Sequence, residues 1–95
     1  MPLTVQENNG GAIKVTGTTS ASQKITDTLI DIMHVYWYNP STAGHLCNLI
    51  GENDEPIIPM RCEVDGKSQQ WDIGMLIKGI YCDDMDSGTL FIMRR

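Results

Sequence analysis

Short runs of alternating apolar and polar residues are the main pattern along this chain. Residues 12–16 alternate, and residues 58–64 do so most regularly, as expected of half-buried β-strands. Further strands are predicted at 45–50 and 68–73, and turn-forming residues recur about every ten positions, the spacing of an antiparallel sandwich or small barrel. Pro59 cannot donate to a sheet ladder, so its strand is predicted to lie at a sheet edge.

The segment 22–38 fits two interpretations. Its apolar residues recur at helical spacing, and Thr26 or Asp27 could cap a helix. Residues 30–38 are nevertheless dense in β-branched and aromatic side chains, and alternation would put Met33, Val35 and Trp37 on one face. We therefore predict a strand at 29–38, with helix as the alternative.

The C-terminal part predicts a hairpin whose strands are apolar on both faces. Strands at 75–82 and 89–93 flank an acidic loop at 83–88. A sheet with one solvated face should alternate, so the second apolar face must be covered within the monomer or by another subunit. The residues we expect at an association surface are Tyr36, Tyr38, Leu76, Phe91 and Met93.

Length and composition support one small all-β domain. The 95 residues include 11 Ile, 4 Val and 8 Thr against 3 Ala and 6 Leu, which favours strands over helices. We predict a small antiparallel β-sandwich, jelly-roll-like, with seven to eight short strands over residues 12–95. Residues 1–11 are predicted to be a flexible lead-in or turn.

Charge and hydropathy argue against two classes of binding partner, nucleic acids and membranes. A net charge of −5 argues against nucleic acid, because the phosphate backbone would be repelled. No apolar stretch approaches the roughly 20 residues of a membrane helix, so no membrane partner is expected. The first residues lack the features of a secretory signal. We expect synthesis in a cytoplasm without signal-directed secretion.

Candidate chemistry is sparse. His45 and Cys47 lie two apart on a predicted strand and could form half of a zinc site. Asp84 and Asp86 lie in the acidic loop, which has some features of a calcium loop but lacks the closing glutamate. All four are weak metal candidates, and a structural role is the preferred interpretation. Cys47, Cys62 and Cys82 indicate no disulfide framework, and no nucleophile or phosphate-binding motif occurs, so neither an enzyme nor a cofactor is predicted.

Two stretches carry a family resemblance. They are YWYNPSTAGHL at 36–46 and GIYCDDMDSGTLFI at 79–92. Together with the hairpin between them, they resemble small β-sandwich structural proteins encoded by phages and prophages. The resemblance implies a virion protein, of head or tail, that associates with copies of itself and with other virion proteins after synthesis in the host cytoplasm.

Two hypotheses of different classes follow. The first is a non-enzymatic phage or prophage structural protein that acts by self-association. The second is a β-sandwich module that binds carbohydrate or another cell-surface ligand on a platform of tyrosines.

Overall fold

The computed structural model describes residues 3–7 and 12–94, and its regular secondary structure is entirely β. The strands are β1 (Thr4–Glu7), β2 (Ile13–Thr16), β3 (Gln23–Tyr38), β4 (Leu46–Ile50), β5 (Pro56–Arg61), β6 (Gln69–Met85) and β7 (Thr89–Arg94). The predicted all-β class is therefore confirmed. In the described part of the chain, no helix has the length and apolar character needed to cross a membrane.

The seven strands form one antiparallel sheet in the order β1-β2-β7-β3-β6-β4-β5. Strands β3 and β6, of 16 and 17 residues, pair along most of their length. On the far side of β3, β7 pairs only with residues 32–38, and on the far side of β6, β4 pairs only with residues 81–85. The two long strands therefore belong to both halves of the sheet.

The hydrophobic core lies between these halves. Buried side chains of β2 and β7, such as Ile13 and Ile92, belong to the same cluster as Leu49 of β4 and Met60 of β5. Since β2 and β5 lie far apart in strand order, one cluster requires that the sheet fold over on itself. The architecture is sandwich-like, as predicted, with both layers made from a continuous sheet.

Within segment 22–38 the strand β3 covers Gln23–Tyr38, so it begins six residues earlier than the predicted 29–38, and no part of the segment is helical. The predicted common face is wrong for one residue, because Val35 and Trp37 are fully buried whereas Met33 is 42% exposed. The register of β3 against both β6 and β7 shifts between Ile32 and His34. Such a bulge reverses the alternation of faces, which period-2 reasoning does not anticipate.

Several predicted boundaries also differ. The strands expected at 68–73 and 75–82 are one strand, β6, which continues through Gly74 at a φ of 64°. Asp83 and Asp84 lie in β6, so the acidic loop shortens to residues 86–88. The predicted C-terminal hairpin is wrong, because β6 and β7 do not pair with each other: β3 lies between them and pairs with both. Strand β5 begins earlier than predicted and ends at Arg61, so residues 62–64 of the predicted strand lie outside it. It is the last strand of the sheet, as Pro59 indicated.

The N-terminal prediction was wrong for residues 4–7. Thr4–Glu7 is a strand that pairs with β2, where a flexible lead-in or turn was expected. The remainder of that prediction, at residues 1–2 and 8–11, lies outside the described residues.

Candidate functional site

Four of the five residues predicted to mediate association share the outer face of the β3–β7 pair. Tyr36 is directly opposite Phe91, with ring centroids 6.4 Å apart, and the Tyr38 ring lies 6.1 Å from that of Tyr36, tilted by 37°. Met93 is opposite His34 on the same face. The intervening residues of both strands are buried in the core, so these four side chains point away from it.

The fifth, Leu76, lies on β6 and is 65% exposed. It is opposite Asp31 of β3. Other large apolar side chains exposed on β3 and β6 are Leu29, Met33, Trp71 and Met75. The structure therefore extends the predicted surface along β6 to residues beyond the five predicted from the sequence.

The exposure on β6 has a topological cause. Residues 69–72 and 75–78 pair with β3 on one side, with a register shift between them, and no described strand pairs with residues 69–78 on the other side. Strand β4 begins to pair only at Tyr81, so the opposite layer ends before it covers this half of β6. We call residues 69–78 the free edge of β6.

Both faces of the free edge carry apolar groups. Trp71 and Met75 are opposite the buried residues Val35 and Ile32, so they point to the inner face of the sheet. Leu76, Asp72 and Lys78 point to the outer face. Leu76 is opposite Asp31, Asp72 is opposite His34, and Lys78 is opposite Leu29. Trp71 nevertheless remains 43% exposed because the layer facing it is incomplete.

A cleft of about 600 Å³ separates β5 from the start of β6. Its walls include Arg61, Lys67, Gln70 and Trp71. An exposed indole beside amide and cationic groups is suited to contact with a polar ligand that also has an apolar face.

A second cluster surrounds Ser87, in the turn between β6 and β7. The Ser87 hydroxyl lies 2.7 Å from Nδ1 of His45 and accepts a hydrogen bond from the backbone N–H of Ser41 at 2.9 Å. The adjacent carboxylate of Asp86 accepts the backbone N–H of Leu46. These contacts join the β6–β7 turn to the segment that precedes β4 and to the first residue of β4.

An imidazole beside a serine hydroxyl is a pairing that catalytic serines use. Here the same hydroxyl is also held by Ser41, and the Ser87 carbonyl oxygen accepts the indole N–H of Trp37. The described contacts therefore explain the cluster as an anchor for the turn. Sequence analysis missed the pairing because 42 residues separate its members and no local motif marks it.

The structure brings Asp84 and Asp86 together. Burial raises the pKa of Asp84 to about 6, and the hydrogen bond and charge of Asp86 act in the same direction. His45 is close enough to oppose this rise. One carboxyl oxygen of Asp84 and one of Asp83 are buried without a hydrogen-bond partner.

The predicted pair His45 and Cys47 has separate partners. The imidazole contacts Ser87, whereas Cys47 is buried in the core beside Cys82. A hydrogen bond with the Cys82 thiol, together with burial, raises the pKa of Cys47 well above its usual range. Over residues 3–7 and 12–94, no group of three or more His, Cys, Asp or Glu side chains is placed to hold a metal ion.

The fold and surface define a small all-β domain with an apolar, unpaired strand edge. Comparison with protein-family models, with curated proteins and with solved structures found no match to the chain.

Proposed function

We propose that this protein is a non-enzymatic assembly module that acts by binding further copies of itself. The observation that carries the proposal is the free edge of β6, whose apolar side chains are exposed on both faces of the sheet. An unpaired strand edge offers backbone N–H and C=O groups to another chain, and exposed apolar groups supply the driving force for association.

Leu76 is the most exposed of the large apolar side chains on β3 and β6. Its side chain is 65% exposed, and full burial of a leucine side chain stabilises by about 1.5–3 kcal/mol relative to water. Trp71 and Met75 add large apolar groups on the opposite face. A subunit contact along β6 would reduce the exposure of all three.

Light scattering coupled to size-exclusion chromatography, over a range of protein concentrations, tests the proposal. We expect a concentration-dependent oligomer that Leu76→Lys shifts towards monomer. The matched control is Val64→Lys, which alters another exposed apolar residue, in the turn after β5, and should leave the oligomer unchanged. A wild-type protein that stays monomeric at the highest concentration would contradict self-association.

A narrower proposal places the assembly in a phage or prophage virion. Its support is the resemblance of residues 36–46 and 79–92 to phage β-sandwich structural proteins. Genes for head or tail proteins beside the one for this chain would support it, and a neighbourhood of unrelated metabolic genes would count against it.

The cleft beside β5 favours a second candidate function, binding of carbohydrate or another cell-surface ligand. Its half-exposed indole, Trp71, is a better stacking platform than the tyrosines proposed from sequence, because Gln70 and Arg61 line the same cleft and can hydrogen-bond to hydroxyls. A glycan array tests this. Binding that Trp71→Ala abolishes and Tyr38→Ala preserves would support the cleft, whereas an array without any binder would reject it.

A further inference from the structure

The residues that line the cleft between β5 and β6 point to the kind of ligand that it takes. We propose that this ligand is an acidic carbohydrate, a glycan whose sugar rings carry carboxylate or sulfate groups. The inference rests on the second candidate function, carbohydrate binding in the cleft, and adds the chemical class of the sugar. It does not depend on self-association.

Hydrogen bonds hold the walls of the cleft in place. The side-chain amide of Gln69 donates to the carbonyl oxygen of Arg61 at 2.6 Å, which joins the start of β6 to the end of β5. The Ser68 hydroxyl accepts the backbone N–H of Asn39 at 2.9 Å. The volume of about 600 Å³ lies within the range of small-ligand sites. A cleft that is already formed costs little conformational entropy when a ligand binds.

Trp71 supplies a surface for a sugar ring. Its side chain lines the cleft and is 43% exposed. The C–H groups of a pyranose form an apolar face that packs on an indole, and its hydroxyls can bond to amide and hydroxyl side chains such as Gln70 and Ser68. These groups bind a sugar but do not distinguish a neutral ring from an acidic one.

Two cations line the same cleft. Arg61 and Lys67 are exposed, and neither forms an ion pair in the part of the chain that the structure describes. They are two of seven basic residues in a chain whose net charge is −5. An acidic protein with two unpaired cations in one cleft attracts an anion to that cleft and repels it from the rest of its surface.

Glu63 is the acidic residue of the cleft wall. Two bases against this one acid leave the lining with a net positive charge. A guanidinium also presents parallel N–H donors that match a carboxylate or sulfate group, and a hydrogen bond with a charged partner is stronger than one with a neutral partner. The cleft therefore favours a sugar that carries an anionic group.

A glycan array with matched neutral and acidic sugars tests this preference. The panel contains oligomers of galacturonic, glucuronic and mannuronic acid, the full methyl ester of each, and galactans with and without sulfate. We expect binding to the acids or the sulfated galactans that is about tenfold tighter than binding to the matched esters or unsulfated galactans. Added NaCl should weaken the binding of the acidic glycans alone.

Single substitutions of the lining charges test the cleft directly. Arg61→Gln and Lys67→Gln keep a side chain that can hydrogen-bond but remove the cation, and each should weaken binding of the acidic glycans about tenfold. Glu63→Gln removes the negative charge and should strengthen that binding. The control is Lys24→Gln, which removes an exposed base on β3 outside the cleft and should change the affinity less than about twofold. All four positions are exposed, so circular dichroism should show an unchanged fold.

The outcomes separate this inference from the second candidate function. Esters bound as tightly as the acids, through contacts that Trp71→Ala abolishes, would overturn the charge preference and leave carbohydrate binding standing. An array without any binder would overturn both. A loss in Lys24→Gln as large as in Arg61→Gln would overturn the assignment of the anion to the cleft. A preference for acids that Arg61→Gln and Lys67→Gln reduce, and that Glu63→Gln increases, would support both.

Discussion

The indole nitrogen of Trp37 donates a 2.9 Å hydrogen bond to the carbonyl oxygen of Ser87, fifty residues further along the chain. Trp37 is fully buried near the C-terminal end of β3, and Ser87 lies in the turn between β6 and β7. One side chain therefore fills the core and also fixes the turn that brings β7 back beside β3.

Replacement of Trp37 by Phe should destabilise the protein by about 2 kcal/mol. Phe keeps an aromatic ring in the core, but it is smaller than Trp and leaves a cavity. The Ser87 carbonyl oxygen also loses its hydrogen-bond donor. Denaturant unfolding followed by circular dichroism measures the change. The control Trp71→Phe alters a half-exposed indole and should change stability by less than about 1 kcal/mol. Equal losses in the two variants would contradict the role given to Trp37.

Gly88→Ala should destabilise the same turn by about 2 kcal/mol or more. Gly88 has a φ of 80°, and a Cβ there would lie 2.8 Å from both the Trp37 indole nitrogen and the Tyr38 carbonyl oxygen. Gly44→Ala is the matched control, since Gly44 also has a positive φ, of 95°, but a Cβ there would meet nothing within 4 Å. Thermal unfolding of both variants measures the stability that each one loses. A larger loss in Gly88→Ala than in Gly44→Ala reports the steric contact of the new Cβ, and equal losses would contradict it.

Removal of the Ser87 hydroxyl should cost about 1–2 kcal/mol of stability. Ser87→Ala leaves the Ser41 N–H and the His45 imidazole without the group that bonds to both. Ser41→Ala is the control, because its backbone N–H is retained and its own hydroxyl contacts only Thr42 in the described structure. We expect the control to stay within about 0.5 kcal/mol of wild type. A loss as large in the control would show that the hydroxyl of Ser87 has no special role.

The raised pKa of Asp84 predicts a pH dependence of stability. A carboxyl whose pKa is about 6 in the folded protein and near 4 when unfolded favours the fold while it is protonated. Its contribution is complete below pH 4 and is lost as the pH rises through 6. Asp84→Asn should therefore stabilise the protein at pH 7 by about 1 kcal/mol, after allowance for solvent screening, and should have much less effect at pH 4.

Urea unfolding of wild type and Asp84→Asn at several pH values checks this difference. Asp54→Asn serves as the control, since Asp54 is an exposed turn residue at a φ of 62° that Asn also tolerates. An Asp84→Asn variant whose stability difference from wild type did not change with pH would contradict the assignment.

The sequence determined the fold class and most of the strand positions of this protein. Alternation at 12–16 and 58–64, dense β-branched residues and regular turn signals are local properties, and each depends only on neighbours along the chain. The two-sided apolar pattern of 89–93 likewise identified Phe91 and Met93 as outward-facing apolar groups beside the buried Leu90 and Ile92.

Which apolar groups remain exposed, and which polar groups meet, depends on the tertiary structure and is absent from the local sequence. Trp71 has the local pattern of a core residue, yet it is half exposed because β4 pairs with the far end of β6 and leaves the near end uncovered. His45 and Ser87, or Trp37 and Ser87, share no local signal, since the chain brings them together only when the long strands β3 and β6 fold into two layers. The free edge, on which the proposed function depends, follows from the lengths of strands that pair far apart in sequence. Alternation along a single strand does not contain that information.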